Sequence, residues 1–390
     1  MPKNVWMSWE INNKSGWGVL GLNIFFQWAR DSTIVPLSAA AIGDDLLLFV
    51  DPLRLSVVSR AIKISNDFVD VVIRSPGAHL KLDATVIDPI SQSDPPSRFF
   101  GKRNIARCIF DNSNIKSFET ALGKFDAVLC ASNWNANMVR ARTNRPVRVI
   151  YEGIDPSLFC PGSRSGLMSP DKFYIFSGGK IEYRKGQDLV LRAFREFSKH
   201  HDDAVLVTAW HSPWPHISVG FKGTLDVPLE LDDRGFLNVK KWVADNEIDP
   251  SRVVEMFSTP NQLMPTVLRE MDVALQPSRA EPCTNLPAME AMACGLPVIV
   301  ANNTGVKDLV GLDNCVSLND QRAIPTVDQN YPTDGWGESS IDEIVDALER
   351  LYVDKARREN LGASASRWIR EHRTWQKHAS ELKDLVVSLD

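Results

Sequence analysis

Residues 276–305, QPSRAEPCTNLPAMEAMACGLPVIVANNTG, leave folding the least choice of any stretch in this chain. They read as a strand ending near Gln276, a loop, a short helix over residues 287–294 and a second strand over 297–301. Gly295 stops the helix, and Pro287 suits its first turn. Glu290 has Ala288, Met289, Ala291, Met292 and Ala293 around it, so the helix reads as buried on all sides. A carboxylate there is costly unless something pairs with it or donates to it. A pair of ligand hydroxyls would meet that need, and so would a structural Arg or a backbone amide. Glu281 lies in the preceding loop, beyond the carboxyl end of a strand, where open α/β sheets bind ligands. A solvated loop residue is the plainer reading of it.

Apolar runs and helical stretches alternate through the rest of the chain. Residues 5–9, 46–50, 69–73, 105–110 and 127–130 read as strands of a first unit, with a helix over 19–30. Residues 173–177, 204–209 and 273–276 read as strands of a second, with helices from Gln187, near 262–271 and over 341–353. Such alternation implies parallel sheets flanked by helices. The 390 residues, 44% hydrophobic and 24% charged, suffice for two domains. The expected division is residues 1–160, 161–365 and a last helix within 363–388 that closes the chain.

Composition narrows the function. A net charge of −5 argues against a general nucleic-acid binder. Residues 1–160 carry about +3 and the remainder about −8, so the first half would suit an anionic acceptor or a membrane surface. An excess this small is equally a solvated face. Six scattered Cys without a Cys-x-x-Cys pair fit a reducing, cytoplasmic setting. No apolar run approaches the ~20 residues of a membrane span, which leaves at most peripheral membrane contact.

Three further loops have chemistry to offer. EINNKSGWG joins the first strand to the first helix, and Gly16 and Gly18 let a ligand approach that helix's amino end, where free N–H groups favour an anion. A tight turn is the alternative reading. GGKIEYRKGQ follows residues 173–177 and places Lys180 and Lys185, with Gly179 and Gly186, beside another helix start. Asp111 and Asn112 follow the strand over 105–110 and would point into a cleft, although Asp and Asn also simply turn chains. Residues 210–238 form a long connection rich in Trp, Pro and Gly that is placed to fold over the cleft and set substrate preference. His211 and His216 within it lack metal-ligand spacing. There is no Asp-x-Asp, Gly-x-Ser-x-Gly or Walker-type loop.

The stretch EPCTNLPAMEAMACGLPVI resembles the donor-binding signature of retaining glycosyltransferases of family 4, a Glu, seven residues, a second Glu, then A-M-A-x-G-x-P-V-I. AEPC is also similar to the corresponding loop of glycogen and starch synthases. Eight residues rather than seven separate Glu281 from Glu290 here. Gly179, Lys180, Lys185 and Gly186 match the family's G-R-L-x-x-x-K-G, with Lys180 in place of its Arg, which keeps the charge and loses the bidentate fork. The resemblance implies the GT-B arrangement, α/β with two Rossmann-like domains facing across a cleft, and a last helix, residues 366–390, crossing back to the first domain.

It further implies transfer of a sugar from a nucleotide-diphosphate sugar to a carbohydrate, lipid-linked or other hydroxyl acceptor, with retention, without a metal ion or other cofactor. Carried over position by position, Glu290 would bind the ribose, Lys180, Lys185 and Gly179 the diphosphate, and Glu281, Thr284, Asn285 and Leu286 the sugar. Gly16 and Gly18 would line the cleft, and Asp111 and Asn112 would face the acceptor. The family often places a His in that half of the cleft, for which His79 is the candidate here. No catalytic base is assigned. A sugar-nucleotide epimerase or phosphorylase on the same fold and a non-catalytic carbohydrate-binding relative are the alternatives.

Overall fold

Short buried strands followed by capped helices recur along the chain, and the computed structural model, which describes residues 2–74, 77, 79–92, 99–212 and 214–389, gathers them into two parallel sheets. The first half runs β1 (Lys3–Met7), α1 (Gly16–Trp28), β2 (Ile34–Ser38), α2 (Pro52–Ile73), β3 (Leu80–Ile90), β4 (Phe99–Cys108), α3 (Glu119–Leu122), β5 (Ala127–Cys130), α4 (Asn133–Arg140) and β6 (Val147–Val149). Its sheet has the order β2-β1-β3-β4-β5-β6, parallel at every pairing.

The second half begins with β7 (Phe173–Gly178), α5 (Gln187–Ser198), β8 (Ala204–Ala209), α6 (Pro215–Ser218), α7 (Val239–Asp245), β9 (Val253–Glu255) and α8 (Met264–Leu268). It continues with β10 (Val273–Gln276), α9 (Leu286–Ala293), β11 (Val298–Ala301), β12 (Val316–Leu318) and the antiparallel pair β13 (Gln321–Ala323) and β14 (Gly337–Ser339). The parallel order here is β12-β11-β10-β7-β8-β9. Helices α10 (Ile341–Val353), α11 (Lys355–His372) and α12 (Trp375–Ser388) end the chain.

Strand order reverses beside β1 in the first sheet, between β1 and β3, and beside β7 in the second, between β7 and β10. In open α/β sheets the crevice for a ligand opens at such a reversal, outside the carboxyl ends of the strands. The loops there are residues 8–15 after β1, 179–186 after β7 and 277–285 after β10. The second and third carry Gly179, Lys180, Lys185 and Glu281, and the first leads directly into Gly16 and Gly18 at the start of α1.

Two expected strands are not strands. Residues 44–47 form a 3-10 turn, and Phe49 has φ 65°, which no strand accommodates. Residues 69–73 are the last turn of α2, whose buried Val58, Ala61, Ser65, Val69 and Val72 recur every three or four residues from an Asp51 cap and Pro52. Read in a window of five, the end of that helix mimics a strand. Conversely β2, interrupted by Pro36, and β3, with its alternating polar residues, lack the continuous apolar run that marks a buried strand.

The expected single last helix is two. α11 ends at His372, and Thr374 caps α12 by accepting from Lys377 N. The chain crosses between the two halves at this break, where Ile154 and Thr374 form an isolated bridge. Trp375, Ala379, Leu382, Leu385 and Val386 of α12 lie in one core cluster with α1, and Trp28 Nε1 donates to Ala379 O. Among the described residues, no helix is long and apolar enough to cross a membrane.

Candidate functional site

The loop after β10 is held by a buried arginine. Arg279 donates in a bidentate fork to Asp188 at the start of α5, 2.7 and 2.6 Å, and its Nε donates to Glu338 of β14 at 3.0 Å. Its guanidinium also stacks over the Tyr183 ring at 4.2 Å. Removed from water, such a fork fixes orientation as well as charge, so the 277–285 loop, the 179–186 loop and β14 form one rigid frame.

Glu281 stands inside that frame. Lys185 Nζ lies 2.8 Å from both of its carboxylate oxygens, Ser278 Oγ donates at 2.8 Å, Asn285 Nδ2 at 3.0 Å and Arg184 Nη1 at 3.1 Å. Its backbone N–H donates to Thr304 Oγ1. Burial pushes the carboxyl up, but the Lys185 and Arg184 cations outweigh that and hold it below its ordinary range. Glu281 is a buried, ionised acid rather than a solvated loop residue.

Arg184, whose direction the sequence leaves open, is the hub. Its Nε lies 3.0 Å from Asp111 Oδ1 and 2.9 Å from Glu182 Oε2, while Nη1 reaches Glu281. Asp111 belongs to the loop after β4, so this ion pair spans the two sheets. Lys180 is turned differently from Lys185. Its Nζ pairs with Glu182 Oε1 at 2.5 Å and sits 5.0 Å above the Trp214 ring. The Lys180–Lys185 loop therefore carries an acid, Glu182, that nothing in the glycine and lysine pattern marks. Gly179, at φ 113°, has a backbone conformation that favours glycine.

Thr284, Asn285 and Leu286 form the entry to α9. Asn285 has φ 67° and caps the helix by accepting from Ala288 N while its amide donates to Glu281. Thr284 Oγ1 contacts Met289 Sδ at 3.0 Å. Leu286 faces Gly16, where a Cβ would stand 3.9 Å from Leu286 Cδ1, so the first helix of one half and α9 of the other meet at their amino ends. Gly18 is required for a local reason, since a Cβ there would lie 2.2 Å from Asn12 Oδ1.

Glu290 is buried on α9, one and a half turns beyond Asn285. Burial pushes its carboxyl up to about 8, opposed only by a hydrogen bond of 2.5 Å from Asn261 Nδ2. Among the described residues no Arg pairs with it, and the amide that does reach it belongs to a side chain.

On the opposite side, Asn112 Oδ1 accepts from Gln92 Nε2 and Asn114 N, so that side chain shapes its own turn. Asp111 faces Arg184, and its carbonyl accepts from Trp336 Nε1 at 3.2 Å. Residues 324–336, between β13 and β14, lie against this turn through Asn330 O and Asp334 as well. His79 precedes β3, at the opposite end of the sheet from the carboxyl ends of its strands, and so stands away from the site. Residues 210–238, of which Pro213 lies outside the described residues, pack on the Lys180 loop through Trp214, Phe221 and Ser218. Among the described residues, no cluster of three or more His, Cys, Asp and Glu side chains is suited to a metal.

Two parallel sheets with their switch points opposed and the chain crossing back at α12 define the GT-B fold. Sucrose-phosphate synthase from Thermosynechococcus elongatus shares it, at TM-score 0.66 and 14% identity over 100% of this chain and 99% of that one. So does Anabaena HepE, solved with UDP and glucose, at TM-score 0.62, 12% identity and full coverage of both chains. Residues 163–324 match the family model Glycosyl transferases group 1, so the second half carries a domain of that family. A D-inositol 3-phosphate glycosyltransferase from Paenarthrobacter aurescens is 31% identical over 241 residues, 60% of this chain and 50% of that protein. One from Pseudarthrobacter chlorophenolicus is 27% identical over 73% of this chain and 58% of its own length. The chain thus spans about half the length of the curated relatives it matches.

Proposed function

We propose that this protein transfers a sugar from a nucleotide-diphosphate sugar to an acceptor hydroxyl, with retention and without a metal ion. The observation that carries the reading is the convergence at the β7 and β10 switch point, where Lys185 and Glu281 sit 2.8 Å apart. A diphosphate needs fixed cations and helix amino ends, and a sugar needs acceptors for its hydroxyls. Both stand in one loop frame. Lys185, Lys180 and the Gly179 backbone would hold the phosphates, Glu281 and residues 284–286 the sugar, and Glu290 the ribose. On binding, Lys185 exchanges part of its contact with Glu281 for phosphate oxygens, and Glu281 accepts from sugar hydroxyls instead. Fixed cations that meet the charge gathering on the departing diphosphate stabilise the transition state more than the ground state.

The acceptor is a carbohydrate, a lipid-linked sugar or another hydroxyl compound, entering past Gly16, Gly18 and Asp111. The protein acts in the cytoplasm, with contact at a membrane surface where the acceptor is a lipid. Nucleic acid is not a partner.

A thermal-shift screen of UDP, GDP and ADP sugars tests the donor class, because a ligand bound only by the folded state raises its apparent stability. Labelled donor incubated with and without acceptors, D-inositol 3-phosphate among them, then identifies the reaction. Transfer by the wild type and none by Glu290→Ala is expected. Binding without transfer or hydrolysis overturns the enzyme reading, and conversion of the donor without acceptor replaces it by an epimerase.

A further inference from the structure

Asn261 lies between β9 and α8, where Pro260 precedes a single 3-10 turn over Asn261–Leu263. Two hydrogen bonds tie it to different parts of the chain. Its Nδ2 donates to Glu290 Oε1, and its backbone N–H donates to Asn13 O at 2.8 Å. Asn13 belongs to the loop after β1 and is fully buried. It is fixed there by its own N–H to Leu46 O and its Nδ2 to Leu48 O.

We infer that Asn261 is a positioning residue for the donor ribose, aiming the Glu290 carboxylate through its side-chain amide and tying that aim to the first half of the chain through Asn13. The inference rests on the proposed reading of Glu290 as the ribose ligand. A ribose diol offers two O–H donors, which an ionised carboxylate accepts on both oxygens. A protonated acid keeps an O–H of its own and loses an acceptor. An amide donor on Oε1 favours the ionised form and removes the rotation of the carboxyl head. Among the described residues, burial raises the Glu290 carboxyl and the Asn261 hydrogen bond lowers it, with no charged group acting on it besides. The Cys294 thiol, just past the end of α9, is raised mainly by burial and also by the Glu290 charge. The orientation of this acid thus depends on one amide, which is held by the opposite half of the molecule.

The test uses the full chain with Asn261→Ala, Asn261→Gln, Glu290→Gln and the Asn261→Ala, Glu290→Gln double variant. Affinity for UDP, GDP and ADP is measured from pH 6 to 9, and the Glu290 carboxyl is titrated by 13C NMR in the free protein. Asn261→Ala is expected to move the Glu290 titration up by about one unit and to weaken diphosphate binding about tenfold near neutral pH. Asn261→Gln restores part of both, and the double variant binds like Glu290→Gln alone. The inference is overturned if Asn261→Ala leaves the Glu290 titration where it was, or weakens binding equally when Glu290 is already Gln. If the wild type binds none of the three diphosphates, the functional reading fails. The free-protein titration still decides whether Asn261 controls the acid.

Discussion

Lys185 Nζ stands 2.8 Å from each carboxylate oxygen of Glu281, which is buried while the lysine side chain is 13% exposed, so a cation and an anion drawn from the loops after two different strands neutralise each other. Removing one partner leaves the other charged and desolvated, which costs about 3 to 5 kcal/mol when such a pair is well buried. Glu281→Ala is therefore expected to lower unfolding free energy by about 3 kcal/mol in urea titrations, and Lys185→Ala by a similar amount. Glu281 also contributes to acid sensitivity. Burial raises its pKa, but Lys185 and Arg184 hold it low on balance, so its contribution is present above the ordinary Glu range and is lost as pH falls through the depressed value.

Glu290 has the opposite sign. Its folded pKa of about 8 lies above the ordinary value of 4.5, so the folded chain holds a proton that the unfolded chain releases. Stability from this group is full below pH 4.5 and is lost as pH rises to about 8, with a slope near ~1.4 kcal/mol per unit. Glu290→Gln should lack this slope. The difference between wild type and variant, measured by denaturant unfolding between pH 5 and 8.5, checks it, and parallel curves would refute it.

Arg184 and Asp111 form an ion pair between the two sheets, but unequally. The Asp111 side chain is 34% exposed, against 7% for Arg184. Asp111→Asn is expected to change stability by less than about 1 kcal/mol, as for other solvent-screened pairs. Arg184→Met leaves Glu182 and Glu281 short of a buried cation and should cost several times more. Thermal unfolding of the two variants separates the roles.

Gly16 and Gly18 are two residues apart and should respond differently to alanine. At Gly18 the new methyl would meet Asn12 Oδ1 at 2.2 Å and Asn12 N at 2.7 Å, so the 10–18 loop must shift and about 1 to 3 kcal/mol is expected to be lost. At Gly16 the nearest atom is Leu286 Cδ1 at 3.9 Å, ordinary contact. Gly16→Ala should fold as the wild type does, and any loss of transfer activity in it would report on the cleft directly.

Residues 276–305 alone determined a great deal about this protein. The buried β10, α9 and β11, with their Gly and Pro punctuation, follow from local apolar patterning, because burial on every side allows few side chains but apolar ones. The same patterning made Glu290 conspicuous, and the glycine and lysine spacing marked Lys180, Lys185, Gly16 and Gly18. Patterning of short range also misled, at residues 69–73, where the end of an amphipathic helix has the composition of a strand. What only the tertiary structure decided is which charges meet. Arg184 joins Glu281 to Asp111, Arg279 joins Asp188 to Glu338, and Asn261 joins Glu290 to Asn13, all between residues far apart in the chain. A polar side chain shows its type in sequence but not its partner, because the partner is supplied by the order of strands in a sheet, and that order is set by packing across the whole domain.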